Sequence, residues 1–194
     1  MRRLVLLGIA LTCVGCESMR HHRSVVLMEP HEGEHLWVFP ENKDKLGTGG
    51  ELQIYMDAES HPEANASFAK FTLGVGGALR VHRHDKTEEL TYFLSGAGVV
   101  VSVDSNGNEV EVPVRSGYVW YNPPGAWHAV RNTGTTPLAM VFATIPNEKK
   151  GLLSFFRRVC VGPGKEGLPI SEEELQRLGR EHDLIFRASK ADLK

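Results

Sequence analysis

Between Asp104 and Arg115 the chain turns at Asn106-Gly107 and then alternates, with Val110, Val112 and Val114 interleaved with Glu109, Glu111 and Pro113. Side chains two apart share one face of an extended strand, and Asn-Gly is a strong short-range hairpin signal. The stretch therefore reads as one arm of a hairpin whose other arm is Gly98–Val103, with one face wet. The same grammar recurs along the chain. Short β-prone segments start at His35, Glu51, Ser67, Ala78, Leu90, Gly98, Glu109, Tyr118, Trp127 and Pro137, separated by turn residues. No helical pattern intervenes. Many short strands without intervening helices predict an all-β sandwich or barrel. No repeat of fixed period and no low-complexity segment is present.

The 194 residues, 41% of them hydrophobic, suffice for one domain with extensions. The formal charge of -2 argues against a nucleic-acid binder, whose phosphate contacts need a basic surface. The N-terminus reads as a targeting segment. Arg2 and Arg3 precede an apolar run, Leu4 to Val14, that is too short to span a bilayer. Val14-Gly15-Cys16 resembles a bacterial lipobox, with Cys13 standing where an aliphatic residue is usual. The expectation is a lipoprotein-type signal over residues 1–15, lipid on Cys16, and a cell-envelope location, either membrane-anchored or periplasmic. Cys13 and Cys16 sit in no βαβ context, which argues against a redox pair, and Cys160 reads as a small buried hydrophobe. Residues 16–35 read as a tether. His21, His22, His31 and His35 follow no strand period there and suit a solvated linker better than a site.

Residues 147–194 read as a C-terminal extension. Ser171 and Glu174 form a capping box, with Ile170 and Leu175 placed as a staple, predicting a helix near residues 172–182. His182 reads as a helix-end residue. The stretch Gly151–Val159, rich in Leu and Phe, is expected to pack on the outside of the barrel, with contact to a membrane as the other reading.

The chemistry concentrates between Gly76 and Asn132. His82 and His84 project from one strand face together with Arg80, a pincer suited to a transition metal. Two exposed strand histidines would explain that pair alone. The wider spacing weighs against them. Gly76, His82, His84, Glu89 and Gly96 fall at the intervals G-x5-H-x-H-x4-E-x6-G, and Gly117, Pro123, Gly125, His128 and Asn132 at G-x5-P-x-G-x2-H-x3-N. These positions resemble the two signature motifs of the cupin superfamily, over roughly residues 50–146. The segment after them looks like the tail of small single-domain cupins labelled quercetin-dioxygenase-like.

The resemblance implies a single cupin barrel, a double-stranded β-helix or jelly roll, over residues 36–146, with the short helical extension behind it. It implies that His82, His84, Glu89 and His128 converge in the barrel mouth on one divalent transition metal (Fe, Mn, Ni, Zn or Cu). Glu88 is the rival carboxylate. Four protein ligands leave a six-coordinate ion about two open positions. Arg80, Tyr92, Tyr121 and Trp127 are candidates to line a substrate cavity; Arg80 would meet an anionic substrate or pair with Glu88. For Met140 and Phe142, core packing is the better reading.

The favoured function is metal-dependent dioxygenation of a small organic molecule, with Glu89 as ligand and proton acceptor. The alternatives are a non-catalytic metal or small-ligand binding module of the envelope and a sugar isomerase or epimerase, since fold alone does not decide. The expected partners are a small molecule, a membrane through Cys16, and a second copy in a homodimer. No second motif pair and no helix-turn-helix are present, which removes a two-barrel chain and a transcription factor.

Overall fold

The computed structural model describes residues 26–38, 50–167 and 169–188. The expected signal segment, Cys13, Cys16, His21 and His22 lie outside the described residues. Among the described residues, eleven strands and two helices follow one another in the order β1 (Glu34–Trp37), β2 (Gly50–Met56), β3 (Ser67–Leu73), β4 (His82–Arg83), β5 (Glu88–Ser95), β6 (Ala97–Val103), β7 (Glu109–Arg115), β8 (Val119–Asn122), β9 (His128–Arg131), β10 (Leu138–Ile145), α1 (Leu152–Val159), α2 (Glu172–Glu181) and β11 (Ile185–Phe186). The strands form two antiparallel sheets, ordered β1-β2-β3-β10-β5-β8 and β11-β4-β9-β6-β7. This is the all-β jelly roll that the strand pattern and the motifs predict.

The alternation rule holds where a sheet has one wet face. In β3, Ser67, Ala69, Phe71 and Leu73 are buried while Phe68 is exposed; in β5, Glu89, Thr91 and Phe93 are buried while Leu90, Tyr92 and Leu94 are not. The inward sets meet in one core that includes Leu52, Phe71, Phe93, Val100, Val130 and Leu138. A smaller cluster of Val81, Val101 and Ala129 lies on the other face of the second sheet. Val110 and Val112 depart from the expected pattern. They alternate as predicted, yet stay 42% and 47% exposed. Their strand, β7, is the edge of its sheet and has a neighbour on one side only.

Two positions need the freedom of glycine. Gly96, at φ +80°, joins β5 to β6, and a Cβ there would sit 2.4 Å from the Pro137 carbonyl oxygen. Gly125, at φ +81°, forms the corner before β9 and donates its N–H to the His84 carbonyl at 2.6 Å. The second motif is thereby tied to the first.

The extension is not an outer appendage. Leu152, Leu153, Phe155 and Phe156 of α1 join the same core as the inner faces of the strands, and Phe156 stacks on Phe71 with ring centroids 6.4 Å apart. This corrects the expectation of packing on the barrel's outer surface. Arg157 fastens α1 to the barrel through Asp57 and Glu34. Ser171 Oγ accepts the Glu174 N–H at the start of α2, and Leu178 is buried. The last strand, β11, pairs with β4, setting Ile185 opposite Arg83 and Phe186 opposite His82. No helix among the described residues is long and apolar enough to cross a membrane.

Candidate metal centre

His82 opens β4 and His128 opens β9, and the two are direct partners across the sheet. His84 follows β4 on the same face. The three rings lie at centroid separations of 4.4 Å (His82–His128), 5.2 Å (His82–His84) and 5.4 Å (His84–His128). One ligating nitrogen from each lies within 4.8 Å of the others, and all three residues are buried. No other such group is found among the described residues, so His31 and His35 stand apart from the cluster.

The hydrogen bonds set the direction of each ring. His82 Nδ1 donates to the Arg80 carbonyl at 2.8 Å, His84 Nδ1 to the Asp183 carbonyl at 2.8 Å, and His128 Nδ1 to the Ala126 carbonyl at 2.9 Å. A carbonyl only accepts, so each ring carries its proton on Nδ1 and keeps the Nε2 lone pair for a ligand. Nε2 of His84 and of His128 is buried and meets no hydrogen-bond partner within the protein. A buried acceptor without a partner costs free energy, and a cation supplies what is missing. Burial drives the His82 pKa well below its ordinary value, with further lowering from the His128 and His84 charges. Burial also lowers the His128 pKa, against an opposing pull from Glu89. The neutral ring is the form that binds metal.

Glu89 faces the histidines from β5. It is 9% exposed; Oε1 accepts the Thr91 hydroxyl at 3.1 Å, and Oε2 lies 3.9 Å from His84 Nε2. Glu88 points to the other face, where it accepts the Tyr121 hydroxyl at 2.8 Å. Three imidazoles and a carboxylate are donors that suit Fe, Mn, Ni, Zn and Cu alike. The centre fits one divalent transition metal.

Above the histidines lies a partly open cavity of about 80 Å³. Its barrel wall includes Phe71, Trp120 and Phe142, and its extension wall Phe155, Phe156 and Leu184. The placement of the expected lining residues is mixed. Arg80 reaches the wall, but its guanidinium is held by Glu172 at 2.9 and 3.0 Å and lies over the Phe186 ring at 5.0 Å. The expected pairing with Glu88 does not form. Met140 and Phe142 belong to both core and cavity.

Tyr92, Tyr121 and Trp127 are corrections. Tyr92 and Tyr121 are 45% and 53% exposed on the outer face of the six-stranded sheet. Trp127 packs with the Val81–Val101–Ala129 cluster, under the Arg83 guanidinium at 4.8 Å. The reason is strand parity. Tyr92 is an odd number of residues from Glu89, and Trp127 from His128, so each turns away from the ligand face.

Two buried residues, Thr91 and Asn122, and the partly buried Trp120 take the inward places instead. Thr91 is two residues from Glu89, and parity from that ligand finds it. Trp120 stands edge-on to His128 at 5.6 Å, and Asn122 is the direct partner of Glu89 across β5 and β8. The Asn122 side-chain amide nitrogen is buried and meets no hydrogen-bond partner. Finding Trp120 and Asn122 requires the β5–β8 register, which the linear sequence does not carry.

Comparison with known proteins agrees with this architecture. The family described as Cupin domain matches residues 69–144. An oxalate-binding protein of Thermotoga maritima is 32% identical over 111 residues, covering 56% of this chain and 88% of the relative. An uncharacterised protein of Methanocaldococcus jannaschii is 31% identical over 80 residues, covering 41% of this chain and 60% of that protein. Among solved structures, a predicted oxalate decarboxylase of Thermotoga maritima is 25% identical, covers 62% of this chain and 99% of its own, and superposes with a TM-score of 0.51. An oxalate oxidase in complex with glycolate is similar in fold at 19% identity and a TM-score of 0.53, covering 74% of this chain and 72% of its own.

Proposed function

The chain belongs to the cupin family, and on that premise we propose that it is a metal-dependent dioxygenase acting on a small, largely apolar molecule that chelates through paired oxygens. One observation carries the reading: the converging imidazoles and Glu89 open onto a cavity walled by aromatic and aliphatic side chains. In this proposal His82, His84, His128 and Glu89 hold the ion. When bound, the ion supplies the Lewis-acid and redox chemistry by which a chelated enol-type substrate meets dioxygen. The Nδ1 hydrogen bonds keep the three rings in place for ligation. Glu89 Oε2 takes the substrate's enol proton while the Thr91 hydroxyl holds Oε1. The apolar walls exclude water and orient the rest of the substrate.

Oxalate binding is the second reading, favoured by the Thermotoga relative. It fits this cavity less well. Among the described residues the one guanidinium in the wall, that of Arg80, is already engaged by Glu172, so a dianion would rest on the ion alone. Sugar hydroxyls would likewise meet a wall with few polar partners, which disfavours an isomerase.

The test is oxygen uptake by Fe(II)-loaded protein offered a β-diketone, a catechol and oxalate. Uptake is expected with an apolar chelator. Glu89→Gln should keep part of the metal and lose turnover by about 10²–10⁴-fold, with Glu88→Gln near wild type. Tight binding of oxalate with no oxygen uptake on any substrate would replace the dioxygenase reading with the binding module.

We further propose that the protein is exported and held at the envelope by lipid on Cys16. Arg2 and Arg3, the Leu4–Val14 apolar run and Val14-Gly15-Cys16 support this. Several acyl chains anchor firmly where one holds only marginally. Fractionation of wild type and Cys16→Ser decides it; identical soluble distributions would end the proposal.

A further inference from the structure

His82 and His128 are tethered locally, each to the carbonyl two residues before it. His84 is different. Its Nδ1 donates to a carbonyl 99 residues away, that of Asp183, between α2 and β11. The same residue does more. Asp183 Oδ1 accepts the Asp85 N–H at 3.0 Å. Its Oδ2 accepts the Lys86 N–H at 3.1 Å, the Thr87 N–H at 3.1 Å and the Thr87 hydroxyl at 2.9 Å. One residue thus satisfies donors on four consecutive residues, His84 to Thr87, which form the turn between the histidine pair and Glu89. Asp183 also has φ +57°, the one non-glycine residue with positive φ among those described. L-residues adopt that conformation rarely, and Asp is among those that tolerate it best.

We propose that Asp183 is a positioning residue of the metal centre, through which the C-terminal extension sets the His84 ring and the turn leading to Glu89. The proposal rests on the metal-site reading above and adds a residue that no motif of the chain contains. The carboxylate gathers three backbone N–H groups that the sheet leaves unpaired, fixing the spacing of His84 and Glu89. The carbonyl fixes the His84 tautomer and ring plane. Partners of this kind hold metal-ligating histidines in orientation, and their loss typically costs about 10–100-fold in metal affinity. The pairing of β11 with β4 and the burial of Leu184 bring Asp183 to the turn, so the centre is complete only when the extension is docked.

Full-length protein titrated with Co(II) tests this, because the d–d absorption bands report the arrangement of the donors. Asp183→Gly keeps the left-handed backbone and the carbonyl to His84 while removing the carboxylate. It should weaken Co(II) binding about 10–100-fold and change the d–d bands of the loaded protein. Asp183→Asn, which retains one oxygen acceptor but sets an amide against the remaining donors, should fall between the two. Arg177→Ala breaks the surface pairs of α2 without touching the turn and should bind as wild type does. Asp183→Gly with wild-type affinity and bands overturns the proposal. So does a lowered melting temperature with unchanged bands, which would make Asp183 a purely structural staple. If Asp183→Gly does not fold, Asp183→Asn decides on the same criteria. If wild type and His128→Ala bind Co(II) alike, the metal reading itself fails and this proposal with it, an outcome distinct from a defect confined to Asp183.

Discussion

The cavity has two walls built on different rules. The barrel side carries all the candidate ligands: His82 and His128 are paired across β4 and β9, Glu89 stands on β5, and His84 lies just past the end of β4. The extension wall brings only carbon to the cavity, through Leu152, Phe155, Phe156, Leu184 and Phe186. Its polar contribution comes from behind, where Asp183 grips the turn and the His84 ring. The difference is a division of labour. A rigid sheet places donors to within a fraction of an ångström, while a packed apolar cap keeps water from them and strengthens every charge interaction inside.

The largest effect should come from breaking the barrel wall. Wild type with a divalent ion at about a thousand times Kd should gain about 4 kcal/mol of stability, because the folded chain binds the ion and the unfolded chain does not. His128→Ala should lose that gain, read as melting curves that no longer respond to metal or chelator. Unchanged metal response in the variant would remove His128 from the centre.

Breaking the extension wall should look different. Phe155→Ala should cost about 3 kcal/mol in denaturant unfolding, the lower end for a buried phenylalanine, because its ring borders open space on one side. Metal stoichiometry should stay near wild type. Loss of metal in step with stability would show that the two walls are not separable.

Acid should sharpen the contrast within the barrel wall. His82 and His128 have folded pKa values below their unfolded value of about 6.5. In the window below pH 6.5 the unfolded chain therefore binds more protons, so metal-free protein is fully stabilised above that pH and loses stability as pH falls toward the folded pKa values. Melts at pH 7.5 and 5.5 should show the drop, and His82→Gln should reduce it.

The smallest effect belongs to the outer face. Tyr92→Ala and Tyr121→Ala should each shift stability by no more than about 0.5 kcal/mol and leave metal binding intact. Trp120→Ala, one position from Tyr121 but turned inward against His128, should lower both. Equal effects at Trp120 and Tyr121 would mean that strand parity has been misread.

That last pair shows where the sequence was legible and where it was not. The intervals from Gly76 to Asn132 marked the histidines and Glu89, and Asn106-Gly107 marked its hairpin, because each depends on residues near one another in the chain. Tyr92 and Trp127 were misplaced although the needed rule was local; counting by twos from Glu89 and His128 turns both outward. Tyr121 and Trp120 were a different matter, since only the pairing of Thr91 with Trp120 and Glu89 with Asn122 decides which of them faces in. Asp183 left no mark in the sequence at all. A lone aspartate after a helix becomes a clasp for His84 only through contacts that span 96 to 99 residues.

By itself the sequence determined the class of fold and marked the three histidines that the fold brings together. Alternation and turn residues act over two to four positions, and their meaning survives without knowledge of the rest of the chain. Tertiary structure alone decided what surrounds the donors: that Arg80 is engaged by Glu172, that α1 packs into the core over the cavity, and that the far end of the chain orients His84. These contacts join residues remote in sequence, and their geometry follows from how the sheets and the extension pack together.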